Sequence, residues 1–159
     1  MKIKQYLQEI SITSKSINST DYLKLGISEE YGEIIGKVKR YCRGDYGKER
    51  FREQIKKELG DLTYYTAVYE EKIGKIKEFR EPKNRRLKDN LHNLTALNAN
   101  IFNAENERHL TLALHSMMNT ITDLALNFGL TMDEITQANV DKIKSRFNRN
   151  MIRGSGDER

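Results

Sequence analysis

Ser28-Glu29-Glu30-Tyr31-Gly32-Glu33 and Lys57-Glu58-Leu59-Gly60-Asp61 decide how this chain is read. In each segment two acids stand three residues apart, the spacing that puts them on one face of an α-helix. Their neighbours carry the same period: Leu25, Ile27, Ile34, Ile35 and Val38 flank the first pair, and Ile55, Leu59, Leu62, Tyr65 and Val68 the second. The acids therefore border apolar stripes, where a purely solvated charge is not expected. If the two helices face each other, Glu30, Glu33, Glu58 and Asp61 meet. Like charges about 4 Å apart repel by roughly 4 kcal/mol at an effective dielectric of about 20, so such a cluster calls for cations. An all-oxygen site suits Mg²⁺, with Mn²⁺ as a substitute, and a hard ion open to solvent suits phosphate chemistry.

Either pair taken singly is also what an exposed helix carries. On a solvated face Glu33 would pair with Lys37, and Glu58 with Lys57 or Arg52.

Working outward, one proline, no tryptophan and a chain dense in Lys, Glu, Leu, Ile and Asn point to an all-α fold. At 159 residues, 37% hydrophobic and 32% charged, the expectation is one domain over residues 1–159. The single cysteine, Cys42, excludes an internal disulfide and fits a reducing cytosol; it reads as a packed small residue. Neither a signal peptide nor a membrane span is read, so a soluble, cytoplasmic protein is expected. The formal charge of +5 is concentrated between Lys72 and Asn90, where eight basic residues face three acids. That stretch reads as a solvated helix end and loop, with nucleic-acid contact the less favoured alternative.

The apolar period places a first helix on Ile3, Tyr6, Leu7 and Ile10, ending in the Ser/Thr/Asn run from Ser11 to Thr20. A second helix is expected from about Asp21 to Tyr41, bent at Gly26. The third runs from about Glu49 to Phe79 and stops before Pro82, because the residue preceding proline avoids the helical region. Two more cover about Asn84 to Phe102 and Glu105 to Phe128, the latter closed by Gly129. Thr131-Met132-Asp133-Glu134 is a capping-box pattern for a last helix reaching about Asn150. On it Asn139, Lys142 and Arg146 share a face. Glu105 and His109 stand four apart but have no third ligand, so helix-surface pairing is expected of them.

In order, these pieces resemble the MazG-type all-α nucleoside triphosphate pyrophosphohydrolases. That family's pattern is Glu-Glu-x-x-Glu on one helix, Glu-x-x-Asp on the next and Asn-x-x-Lys on a late one. Here the elements are Glu29-Glu30-Tyr-Gly-Glu33, Glu58-Leu-Gly-Asp61 and Asn139-Val-Asp-Lys142 followed by Arg146. The ending Arg153-Gly-Ser-Gly-Asp-Glu-Arg159 looks like the Gly-Ser-Gly-Asp-x-Arg tail of small, phage-associated members. The likeness covers about residues 1–70 and 115–159. Between them the chain departs from the family, with an insertion at about 72–115 that adds a helix, and Tyr64 stands where relatives often carry Trp.

The resemblance implies an all-α helical bundle that cleaves a nucleoside triphosphate to the monophosphate and pyrophosphate with Mg²⁺. It implies that Glu30, Glu33, Glu58 and Asp61 hold metal and that Glu29 and Glu33 orient the attacking water. Asn139, Lys142 and Arg146 would bind substrate, joined by Arg153 and Arg159 from a flexible tail at 153–159. It also favours a homodimer or a dimer of dimers. The competing reading is a non-catalytic helical module that binds nucleic acid or an acidic protein through the basic 72–90 stretch.

Overall fold

The computed structural model describes residues 1–149, which form six α-helices and, among the described residues, no strand. They are α1 (Ile3–Ser14), α2 (Thr20–Arg43), α3 (Lys48–Lys72), α4 (Leu87–Phe102), α5 (Glu107–Asn127) and α6 (Met132–Asn148). Arg153 and Arg159, and the tail reading attached to them, lie outside the described residues.

The third helix is the axis of the bundle, and its sequence says why. Ile55, Leu59, Leu62, Ala67 and Val68 are all buried, and so are Thr63 and Thr66, which cover further sides of the helix. A helix buried on several faces must be surrounded. The two threonines are tolerated there because each hydroxyl donates back to the carbonyl four residues earlier, on Leu59 and Leu62. Each fully buried Leu or Ile contributes about 1.5–3 kcal/mol, so this helix carries much of the core.

Around it, α2 returns antiparallel and α5 crosses antiparallel, with Phe51 edge-on to Phe128 at one end and Lys75 beside His115 at the other. Helices α1 and α6 run parallel to each other along α3. Pairs that climb in step mark this: Met1 with Asp133, Tyr6 with Asn139 and Glu9 with Lys144. Helix α4 lies antiparallel to α2, tied by Ser28 to Asn98 at 3.0 Å and Tyr31 to Thr95 at 3.1 Å. The insertion therefore joins the core, with Leu94 and Ile101 fully packed.

Several boundaries differ from the sequence reading. The third helix ends at Lys72 rather than Phe79, because Gly74 turns left-handed at φ 68°. The amides of Gly74 and Lys75 then reach back to the carbonyls of Glu71 and Glu70, closing the helix by a Schellman motif. Residues 73–86 are irregular, and α4 starts at Leu87 rather than Asn84. Helix α1 ends at Ser14, within the Ser11–Thr20 run where its stop is expected. Helix α2 passes through Gly26 unbroken; a Cβ there would lie 2.5 Å from the Tyr65 ring, so the glycine makes room for that side chain. The capping box on Thr131 and Glu134 forms as expected. No described helix is long and apolar enough to cross a membrane.

Candidate metal centre

Glu30 on α2 and Glu58 and Asp61 on α3 converge, with one oxygen from each lying within 4.8 Å of the others. Their helices hold them there through Ile27 and Ile34 on one side and Ile55, Leu59 and Leu62 on the other, all fully buried. Oxygens around Mg²⁺ sit about 3 Å apart when cis and about 4.2 Å when trans, so the three would have to draw together to share one ion. The donor set is all oxygen, which fits a hard divalent cation better than a soft one.

The electrostatics of the triad point the same way. Burial, then Asp61 and Glu58, push the Glu30 carboxyl up from its ordinary 4.5 to about 8. The cluster thus binds a proton where a folded protein would normally keep a free carboxylate. Two ammonium groups offset part of the charge. Lys37 is buried on α2, 3.2 Å from Glu58 and 3.7 Å from Glu33. Lys142 on α6 reaches Asp61 Oδ2.

The other oxygen of Asp61 accepts from Asn139 Nδ2 at 2.8 Å, and Asn139 Oδ1 accepts from the Tyr6 hydroxyl at 2.7 Å. Burial, then the charge on Asp61, hold the Tyr6 phenol well above its ordinary pKa. Helix α6 can come this close because Gly60 has no side chain: a Cβ there would stand 3.2 Å from Asn139 Cβ and 3.4 Å from the Ile135 carbonyl oxygen.

Of the expected residues, the structure brings Glu30, Glu58, Asp61, Asn139 and Lys142 together. Glu33 stays outside the triad: its exposed carboxylate turns toward Lys37, one helical turn on, so the expected four-carboxylate cluster has three members. Glu29 is exposed beside Glu30. Arg146 lies one turn beyond Lys142 on the same face. Asn139, expected to bind substrate, has both arms of its amide on the protein. Two participants were not read from the sequence. Tyr6 was taken for core, and its hydroxyl gives no periodic signal; Lys37 was weighed only as a surface partner of Glu33.

The basic stretch is exposed, as expected of a solvated helix end and loop, except at Arg80, which turns inward. Arg80 donates to the buried carboxylate of Asp123 at 2.7 Å and to the Asn119 carbonyl, while the Lys83 amide takes the other Asp123 oxygen at 2.7 Å. Arg85 stands 3.8 Å from the same acid, and Arg86 pairs with Asp89. His109 joins the Asn106 cap of α5 instead of pairing with Glu105. Cys42 is exposed, not packed. A groove of about 410 Å³ between α4 and α5 is lined by Leu97, Asn100, His109 and Leu112 and by no acidic side chain.

No protein-family model matches the chain, and no solved structure matches it. It is similar to Gene 37 protein of Mycobacterium phage L5, at 24% identity over 146 residues that cover 91% of this chain and 80% of the relative.

Proposed function

We propose that this protein is a Mg²⁺-dependent nucleoside triphosphate pyrophosphohydrolase of the MazG type, converting a triphosphate and water to the monophosphate and pyrophosphate. The observation that carries the reading is the convergence of Glu30, Glu58 and Asp61 from two helices, beside Lys142 of a third. These residues come in the chain order and local spacing of the family's motifs.

Glu30, Glu58 and Asp61 would hold the metal, which supplies charge neutralisation and a more acidic bound water when present. The chain's own residues do the rest. Lys142 leaves Asp61 for a phosphate oxygen, and Arg146, one turn on, adds a second positive charge. Glu33 and Glu29, the exposed acids on the same helix as Glu30, would orient the attacking water. Lys37 limits the repulsion around Glu58 throughout. Catalysis is then positioning and electrostatics, as phosphoryl transfer requires. A homodimer or dimer of dimers remains part of this reading.

The nucleic-acid module draws less support at Arg80, which is committed to the buried Asp123, while Arg85 and Arg86 stay exposed. The test is a panel of ribo-, deoxyribo- and modified nucleoside triphosphates with Mg²⁺, scoring pyrophosphate apart from orthophosphate. Pyrophosphate with monophosphate is the expected product; orthophosphate alone, or no turnover on any member, overturns the reading.

A further inference from the structure

The hydrogen bonds that run from Asp61 into the core have only one possible direction. An ionised carboxylate accepts and never donates, so the Asn139 group facing Asp61 must be its NH₂. The group facing Tyr6 is then the amide carbonyl, which only accepts, so the tyrosine hydroxyl has to be the donor. Both intermediaries are sealed from water, Tyr6 at 0% and Asn139 at 3% exposure. A buried amide oxygen that lost the Tyr6 proton would have no water to turn to.

The surroundings are built to keep this chain of bonds in register. Helix α1 is fastened to α6 above and below Tyr6, by the Met1 amine on Asp133 and by Glu9 with Lys144 at 2.5 Å. On the far side, Gly60 lets α6 approach α3 until Asn139 can reach Asp61. With Oδ1 of Asp61 held by the amide, Oδ2 is the oxygen whose partner can change, from Lys142 to a divalent cation.

We propose that Tyr6 is a positioning residue of the metal centre: through Asn139 it fixes the side chain of Asp61 in the orientation the cation needs. Helix α1, which supplies no carboxylate to the triad, thereby becomes part of the site. Asn139 is reassigned from substrate contact to the middle of this connection. The proposal rests on the reading of the triad as a cation site. Groups that orient a metal ligand from behind typically set metal affinity or activity by about 10–100-fold, which gives the expected size of the effect.

Tyr6→Phe keeps the ring and removes only the hydroxyl, and Asn139→Ala removes the link from the other end. Two readouts on the full chain separate positioning from packing: Mn²⁺ titration followed by paramagnetic resonance, and the NMR signals of the Asn139 side-chain amide and the Asp61 carboxyl carbon. Tyr6→Phe is expected to weaken Mn²⁺ binding by about 10–100-fold and to remove the exchange protection of the Asn139 amide. Added to Asn139→Ala, it should have no further effect, since the connection is already cut. Tyr69→Phe is the control. That tyrosine is also buried on α3, so loss of its hydroxyl should leave Mn²⁺ affinity unchanged whatever it does to the melting temperature. Native-like Mn²⁺ affinity and an unshifted Asn139 amide in Tyr6→Phe would overturn the proposal, as would additive effects of the two substitutions. If the native chain binds no Mn²⁺, the cation-site reading fails by itself, and the amide and carboxyl signals still decide whether Tyr6 orients Asn139 and Asp61.

Discussion

Arg80 lies 2.7 Å from a carboxylate oxygen of Asp123, an acid whose side chain is only 1% exposed. A charge so placed must be met from within the protein, and the irregular 73–86 segment meets it with a guanidinium and the Lys83 amide. Within a stretch that is otherwise solvated, as its sequence suggests, Arg80 and the Lys83 amide act as a clasp on α5. Arg80→Gln leaves Asp123 partly unpaired and is expected to cost about 3–5 kcal/mol, the usual cost of removing one partner of a buried pair. Urea denaturation measures the loss; a change below about 1 kcal/mol would place the pair among exposed ones.

Glu70 tests burial without a charge partner. It is fully buried, its Oε2 accepts from the Lys77 amide at 3.2 Å, and its Oε1 has no hydrogen-bond partner. Burial pushes this carboxyl from an ordinary 4.5 to about 7. The folded chain then keeps a proton that the unfolded chain releases, so stability present below pH 4.5 is lost as pH rises through about 7. The span corresponds to about 3 kcal/mol. Glu70→Gln should match the native chain at pH 5 and exceed it at pH 8 in thermal melts. A native chain whose stability rises over that interval for this residue would contradict the assignment.

If the triad holds a cation as proposed, Glu30 gives that binding a pH signature. With its carboxyl raised to about 8, chiefly by burial and then by Asp61 and Glu58, it is largely protonated at pH 7. A divalent cation must displace that proton, so Mg²⁺ binding should release up to about one proton at pH 7 and tighten toward pH 8. Calorimetry in two buffers of different ionisation enthalpy counts the protons. Glu30→Gln should abolish the binding yet raise the melting temperature of the metal-free chain at pH 9, since the lost group is one that folding disfavours ionising.

The separation of Glu33 from the triad ranks the carboxylates. Asp61→Asn removes a ligand and the partner of Lys142, and should reduce triphosphate turnover to background in a folded protein. Glu33→Gln removes an exposed acid beside Lys37 that would orient water but hold no metal, and should lower turnover without abolishing it. Equal loss from both would put Glu33 back among the ligands. Far-ultraviolet circular dichroism separates loss of chemistry from loss of fold.

The helices that build the site were legible because they repeat. Apolar residues at helical spacing, Gly129 closing α5 and the Thr131–Glu134 box are local signals, and the structure has them where the sequence puts them. Gly74 was passed over in favour of Pro82, although the glycine ends the helix first. Asp123 carries no sequence signal because it is a lone acid with no second acid at helical spacing, and its partner stands 43 residues away. Tyr6, Lys37 and Glu33 fail for a related reason. Side-chain identity is local, but which of two neighbouring helices a carboxylate leans toward depends on contacts formed after the helices pack.

Asn139 and Lys142 reach Asp61 across 78 and 81 residues of chain. As the polypeptide emerges from its N-terminus, α1 and then the α2–α3 hairpin are made early, the hairpin carrying Glu30, Glu58 and Asp61 with Lys37 as its own counter-charge. Helix α6 is made after α4 and α5 and brings the ammonium and the amide that settle Asp61. Synthesis therefore supplies the pieces of the acidic site in order: the acids with one counter-charge, then the helices of the hydrophobic body, then the helix that completes the site. Only a chain synthesised through α6 holds Asp61 from both oxygens, so an aborted product presents the acids without the arrangement that makes them a site.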